Sequence, residues 1–219
     1  MGAQVVSVNV GRAVDGDWAG RLRRTGIDKR PVTGPVAVHE LGLDGDHVVD
    51  TDFHGGPRQA VYAFAAEDLR TWSQRLGVPL PPGSFGENLT TTGIDVNAAV
   101  LGERWRVGTA VLSPVLVRIP CVVFVNWLRR CGADSAGWAR RFTEAGRPGP
   151  YLRVLREGVV RAGDEIVVEH RPRHGVTVAT LFAALTTQRS LLPGLLRVDG
   201  LPADAYAAAR ERWGTGTPG

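Results

Sequence analysis

The sequence predicts a mainly β protein with a few flanking helices, its strands closing into a barrel, followed by a small C-terminal three-helix bundle. Short runs rich in β-branched residues recur through most of the chain, each bounded by Gly, Pro, Asn or Asp turn formers. The 28 glycines and 14 prolines among 219 residues stay below the roughly 25–30% share that marks low complexity, so they read as turns between many short elements. After Arg171, Pro172 and Arg173 the pattern changes to apolar segments at helical spacing, which places a linker near 171–175. The expected division is a β-barrel domain over 1–172 and a helical domain over 173–219. With 43% apolar and 22% charged residues, the chain has the balance of an ordinary globular protein.

Taken in order, residues 5–10 alternate as a strand, 11–24 form a loop, and 35–41 repeat the strand pattern. Over 58–76, Val61, Phe64, Ala65, Leu69, Trp72 and Leu76 recur at three- and four-residue spacing before Gly77, which predicts a helix. Its N-terminus would follow His54, Gly55, Gly56 and Pro57, where free backbone amides favour an anion. Residues 99–105, 110–117, 121–127, 151–155 and 165–169 read as further strands, and 135–145 as a second helix ending at Gly146. In the tail, 178–185, 191–196 and 203–213 read as three helices. Thr177 and Asp204 stand near their starts, and Pro193 lies in the first turn of the middle one.

The net charge of +4 and pI near 9.7 come from 25 arginines and a single lysine, Lys29. The arginines are spread along the chain without dense runs or interleaved aromatics, which argues against polymeric nucleic acid as a partner. No charged leader opens the sequence and no apolar stretch reaches the ~18 residues that span a bilayer, so the expected location is cytoplasmic and off the membrane. Cys121 and Cys131 lack metal-binding or redox spacing and are expected as free thiols. Lys29 lies between Asp28 and Arg30, which excludes a P-loop. No Gly-x-Gly-x-x-Gly follows a strand, and Pro82 stands where a nucleophile elbow needs glycine. Pyridoxal phosphate is not expected.

Three segments carry candidate chemistry. Cys121 closes an apolar run three residues after Arg118, whose charge favours a thiolate, and Pro120 stiffens the backbone that presents it. The competing reading is a small buried hydrophobe, which fits Cys131 better. Asp44, Asp46, His47, Asp50, Asp52 and His54 form an acidic stretch without the spacing of a calcium loop or zinc helix. Turn formers and solvated carboxylates therefore explain Asp44 and Asp52 better than a metal does. His54, before two glycines, is placed either to donate to an oxo or phosphate group or to serve as a structural histidine. Glu87 and Asn88 stand in a glycine-flanked turn, suited equally to a heterocyclic ligand and to holding the turn.

The ordered set Lys29 to Gly34, Gly42 to Asp46, Asp50, His54-Gly55-Gly56, Phe85 to Leu89, Arg118-Ile119-Pro120-Cys121, Gly149, Tyr151 to Val154 and Ala162-Gly163-Asp164 resembles the MOSC-domain proteins of the YiiM type. The likeness covers about 1–172, and the tail resembles the three-helix domain of that branch. It implies a β-barrel that binds the molybdenum cofactor (molybdopterin), with Cys121 as the sulfur ligand of molybdenum. Lys29, Arg30, Arg118 and Arg153 become candidates for the pterin phosphate, and His54, Gly55, Gly56 and Asn88 for the rest of the cofactor. One departure is Val117, where the family usually has proline before the arginine; there the strand is expected to run on.

The function so implied is a molybdenum-dependent reductase of N-hydroxylated compounds, hydroxylaminopurine-type bases above all. His54 or Glu87 would relay protons and an external flavoprotein or iron–sulfur protein would supply electrons. The Arg-rich tail is suited either to docking that donor or to pairing two copies as a homodimer. A cofactor carrier or sulfur-transfer module, with Cys121 binding the cofactor without turnover, is the rival reading. Thiol chemistry without molybdenum is a third.

Overall fold

The computed structural model describes residues 2–52, 54–196 and 198. The chain runs β1 (Gln4–Gly11), β2 (Val14–Asp15), β3 (Arg24–Thr25), β4 (Lys29–Pro31), β5 (Val36–His39), β6 (Gly42–Leu43), β7 (Val61–Ala65) and α1 (Ala66–Leu76). It continues through β8 (Leu89–Thr92), β9 (Arg104–Val107), β10 (Ala110–Val117), α2 (Val122–Arg130), α3 (Trp138–Ala145) and β11 (Pro150–Arg156). β12 (Gly158–Val160), β13 (Ile166–His170), α4 (Val178–Thr186), a 3-10 turn at Arg189–Leu191 and α5 (Leu192–Leu195) follow.

Eight strands make the main sheet in the order β13, β9, β10, β11, β7, β8, β1, β4, antiparallel throughout except for the parallel pair β7 and β8. The sheet curls until Gln4 bridges Glu165 and the Val5 amide donates to the Asp164 carbonyl at 2.9 Å. It does not close into the predicted barrel. One edge of β1 is divided between β4, which pairs with Asn9–Gly11, and the turn before β13, which meets the other end. No length remains for a closing ladder. β12, β5 and β6 form a second, three-stranded sheet, and β2 with β3 a two-residue hairpin inside the predicted 11–24 loop.

Two segments change type. Within 58–76, Val61–Ala65 is a fully buried central strand between β11 and β8, and the helix begins only at Ala66. Leu69 and Trp72 face the core from α1, so an abutting strand and helix present one continuous apolar spacing that imitates a longer helix. The predicted helix N-terminus after Pro57 is therefore absent, and His54, Gly55 and Gly56 lie in turns leading to β7. Residues 121–127, read as a strand from their β-branched content, are instead the N-cap and first turns of α2. Phe124, Trp127 and Leu128 are buried at i, i+3 and i+4, and this packing overrides propensity. Of 99–105, only the end from Arg104 is strand.

Other expectations hold. β10 runs on through Val117, which pairs with Pro150, and α3 ends at Gly146 in the left-handed conformation. Thr177 caps α4, its hydroxyl accepting from the Thr180 amide at 3.1 Å, and Pro193 lies at the start of α5. The third predicted tail helix, 203–213, lies outside the described residues. Val178, Leu181 and Phe182 of α4 join the core of the main body, Phe182 meeting Phe142 edge-on at 6.0 Å. Trp72, Phe85, Phe124, Trp138 and Phe142 pack around one another, with Phe85 and Phe124 5.1 Å apart and edge-on. That cluster fixes α2 and the 83–88 turn against each other, and both border the cavity described next.

Candidate functional site

Where β10 ends, Arg118, Ile119 and Pro120 carry the chain to Cys121, the extended N-cap residue of α2 (φ −124, ψ 169). A helix N-terminus offers unpaired amides, and the Phe124 amide donates to the Cys121 sulfur. Burial alone would push this thiol up. The hydrogen bond with His54, the Arg118 charge and the Phe124 amide outweigh burial and lower it from 9.0 to about 6. At neutral pH it is largely a thiolate.

Arg118 is buried, with its guanidinium carbon 5.5 Å from the Tyr62 ring centre and 5.0 Å from that of Phe124. Nη1 donates to Tyr151 Oη at 3.0 Å, while Nε is buried with no acceptor. Burial opposes its charge, but Tyr151, the Cys121 thiol and Tyr62 outweigh that and hold it charged. No carboxylate among the described residues pairs with it. Arg118 thus brings a buried positive charge, unpaired by any carboxylate among the described residues, to the cavity lining, which favours an anion there.

The cavity has a volume of about 520 Å³ and is lined by Cys121, Arg118, His54, Gly55, Lys29 and Asn88, together with Asp46, Gln59, Tyr62 and Tyr151. Lys29 and Asp46 form a buried ion pair. Asp46 also accepts from the Gly11 amide and Asn88 Nδ2, each at 2.8 Å. Burial lowers the Lys29 ammonium, and Asp46 only partly restores it. Lys29 is thus compensated inside the protein while Arg118 is not. The 44–50 loop can supply Asp46 because backbones touch here: a Cβ on Gly26 would lie 2.0 Å from the His47 carbonyl oxygen.

Of the residues predicted from sequence, Cys121, His54, Gly55, Arg118, Lys29 and Asn88 meet at this cavity. Arg30 does not. Its side chain is exposed and turned to Asp28. Arg153 and Gly56 are exposed and outside the lining. Glu87, expected to relay protons, is fully buried away from the cavity. It accepts from the Gly83 amide (2.6 Å), the Phe85 amide (2.9 Å) and the Thr90 hydroxyl (2.8 Å). Burial raises its carboxyl despite those donors. Asn88 has its oxygen on the Tyr62 amide at 3.0 Å, so it lines the cavity with its polar atoms already engaged. In the acidic stretch Asp44 meets His39, and Asp50 and Asp52 both pair with Arg21. Among the described residues no three His, Cys, Asp or Glu are grouped to hold a metal ion.

Sequence reasoning did not single out Tyr62, Gln59 or the pairing role of Asp46. Nothing local marks Gln59. The true helix N-terminus at Cys121 was detectable from the i, i+3, i+4 apolar positions at 124, 127 and 128.

Residues 50–167 match the profile of the MOSC domain. The chain belongs to the MOSC domain family. It is 32% identical over 174 residues to YflK of Bacillus subtilis (strain 168), covering 80% of this chain and 76% of that one. A protein named "Reductase" from Gibberella moniliformis (strain M3125 / FGSC 7600) is 29% identical over 177 residues, 77% of this chain but only 29% of the fungal protein's length. Among solved structures, YiiM from Geobacillus stearothermophilus superposes with a TM-score of 0.78 at 27% identity, covering 96% of this chain and 98% of that one. Among the described residues no helix is long and apolar enough to cross a membrane.

Proposed function

We propose that this MOSC protein is a molybdenum cofactor-dependent reductase of N-hydroxylated compounds, hydroxylaminopurine-type bases among them, with Cys121 as the sulfur ligand of molybdenum. The observation that carries the reading is the pairing, on one cavity wall, of a thiol lowered to about 6 with a buried arginine whose Nε lacks an acceptor. The family is associated with molybdenum cofactor binding, and one relative bears the name reductase.

The residues fit the group. A thiolate is a soft ligand suited to molybdenum, the cavity has the size of a small-cofactor site, and Arg118 offers a positive charge to a phosphate. When bound, the cofactor supplies the two electrons that, with two protons, convert an N–OH group to N–H and water. Arg118 would hold the anionic part of the group, with help from the amides at the start of α2 that the Cys121 sulfur leaves free, while Lys29 shapes the wall through Asp46. His54, hydrogen-bonded to the Cys121 sulfur, holds a proton beside the reacting group and delivers it. An external flavoprotein or iron–sulfur protein replenishes the electrons.

The test is metal and pterin content per chain, in protein purified from a cofactor-making host, for the native form and Cys121→Ala. Near-stoichiometric molybdenum that disappears in the variant while the fold persists is the expected result. Molybdenum-free native protein would sink the reading.

A further inference from the structure

The segment Arg147-Pro148-Gly149-Pro150 turns the chain from α3 into β11. Proline has no amide hydrogen, so between Arg147 and Tyr151 the Gly149 N–H is the one backbone donor that can tie this bend down. Its carbonyls serve the Arg118 corner. Pro148 accepts from Tyr62 Oη at 2.6 Å and Gly149 from the Arg118 amide at 3.4 Å. Tyr62 and Phe124 are the rings that flank the guanidinium, and Tyr151, directly after the bend, accepts from Arg118 Nη1. The position of the bend therefore sets most of what holds Arg118.

What fixes the bend lies outside the cavity. The Gly149 amide donates to Asn97 Oδ1 at 3.0 Å, and Gly149 itself (φ +70) sits so close to β7 that a Cβ there would lie 2.4 Å from the Ala63 carbonyl oxygen. Asn97 is buried and fully engaged. Its Nδ2 donates to Asp68 Oδ2 at 3.1 Å and its amide to Asp95 Oδ1 at 3.0 Å, while its carbonyl accepts from the Ala179 amide of α4 at 2.9 Å. The carboxamide has one possible orientation, since the Gly149 amide only donates and a carboxylate paired with arginine only accepts. Arg147 closes the circuit. Its Nε donates to Asp68 at 2.6 Å and its Nη2 to Asp95 at 2.9 Å, so the residue that opens the bend also holds both carboxylates that hold Asn97. Neither Asn97, Asp68, Asp95 nor Arg147 lines the cavity.

Resting on the reading of Arg118 as the group that holds the cofactor's anionic part, we infer that Asn97 and Arg147 are positioning residues, which lock the 147–150 bend and through it the aim of Arg118. Their loss leaves the Arg118 charge in place and misdirects it. Supporting partners of this kind act on affinity without touching the ligand.

The test uses the full-length, cofactor-free chain with inorganic phosphate as the probe. It measures the phosphate concentration that halves iodoacetamide alkylation of Cys121, read by mass on the Cys121 peptide so that Cys131 does not interfere. Half-protection is expected to need about tenfold more phosphate in Asn97→Ala and Arg147→Ala than in the native chain. Arg147→Lys keeps the charge but loses the fork, and is expected to fall between. Val107→Ala removes buried volume opposite Ala110, at the other end of β10 from Arg118; it is expected to lower the melting temperature and leave half-protection within about twofold of native.

Should Asn97→Ala not fold, the two Arg147 variants decide. Half-protection unchanged in Arg147→Ala overturns the inference. So does full recovery in Arg147→Lys, which would reduce the effect to charge, or an equal loss in Val107→Ala, which would reduce it to stability. A native chain that phosphate does not protect overturns it as well, and leaves the reductase reading to be decided by molybdenum content. The expected order of protection, in a protein that carries no molybdenum from a cofactor-making host, retains the positioning role and removes the reductase reading.

Discussion

Two buried polar regions adjoin the same cavity, and they differ in one respect. Around Glu87 the donors and acceptors are matched: its carboxylate takes two amides and a hydroxyl, and Asn9, Asn88, Asp46 and Lys29 complete a network reaching β1 and β4. Around Arg118 they are not. A guanidinium Nε is stranded and a thiol is drawn toward its anion. Satisfied polar groups hold a fold, whereas a buried charge with no counter-charge beside a reactive thiol costs stability that a bound anion can restore. Mutation should therefore divide the two regions by the property that is lost.

The largest effect is expected in the matched region. Glu87→Ala strands the Gly83 and Phe85 amides and the Thr90 hydroxyl, and should cost about 3 kcal/mol or more in urea unfolding. The Gly83 turn it anchors presses so closely on β4 that a Cβ at 83 would lie 2.2 Å from the Lys29 carbonyl oxygen, so the damage should spread to Lys29. Arg118→Met, which exchanges a buried charge for apolar volume, should change stability by about 1 kcal/mol or less. It should instead empty the protein of pterin. If Arg118→Met unfolds the protein as readily as Glu87→Ala does, the division fails.

The same contrast explains what was legible in the chain. Arg118 and Cys121 could be read from the sequence because their partnership is local, three residues apart on one bend. Glu87 could not be assigned, since the amides that define its role are brought to it by a turn whose shape depends on Gly83 meeting β4. His54 was legible as a candidate for a mistaken reason. It was placed at a helix entrance that is really a strand entrance, yet the 44–59 loop still carries it to Cys121. The barrel expectation stopped short for a similar cause: strand count and spacing are local, whereas closure depends on how the edge of β1 is shared.

A smaller and more specific effect is pH dependence in metal-free protein. The Cys121 thiol falls from 9.0 to about 6 on folding, so its contribution to stability is full above the unfolded value, near pH 9, and is lost as pH falls through about 6. Alkylation of Cys121 by iodoacetamide should follow the same titration, with a half-point near 6. In Arg118→Met the half-point should move upward, because the second largest source of thiolate stabilisation, after the His54 hydrogen bond, has gone. A half-point near 9 in the native protein would mean that the two regions do not differ in the way argued.

The smallest effect is expected at Arg21, where an ion pair belongs to neither region. It joins the loop between β2 and β3 to Asp50 and Asp52, and the Asp50 carbonyl accepts from the His54 amide at 2.9 Å. Exposed pairs of this kind contribute little because water and salt screen them, so Arg21→Ala should leave the urea unfolding midpoint essentially unchanged, the more so at high salt. The Asp50 backbone nevertheless holds the segment that presents His54 to the sulfur. A large rise in Cys121 alkylation in Arg21→Ala, without loss of stability, would show that the reactive corner is held by the mouth as well as by its own wall. An unchanged rate would confine its control to Arg118, His54 and the start of α2.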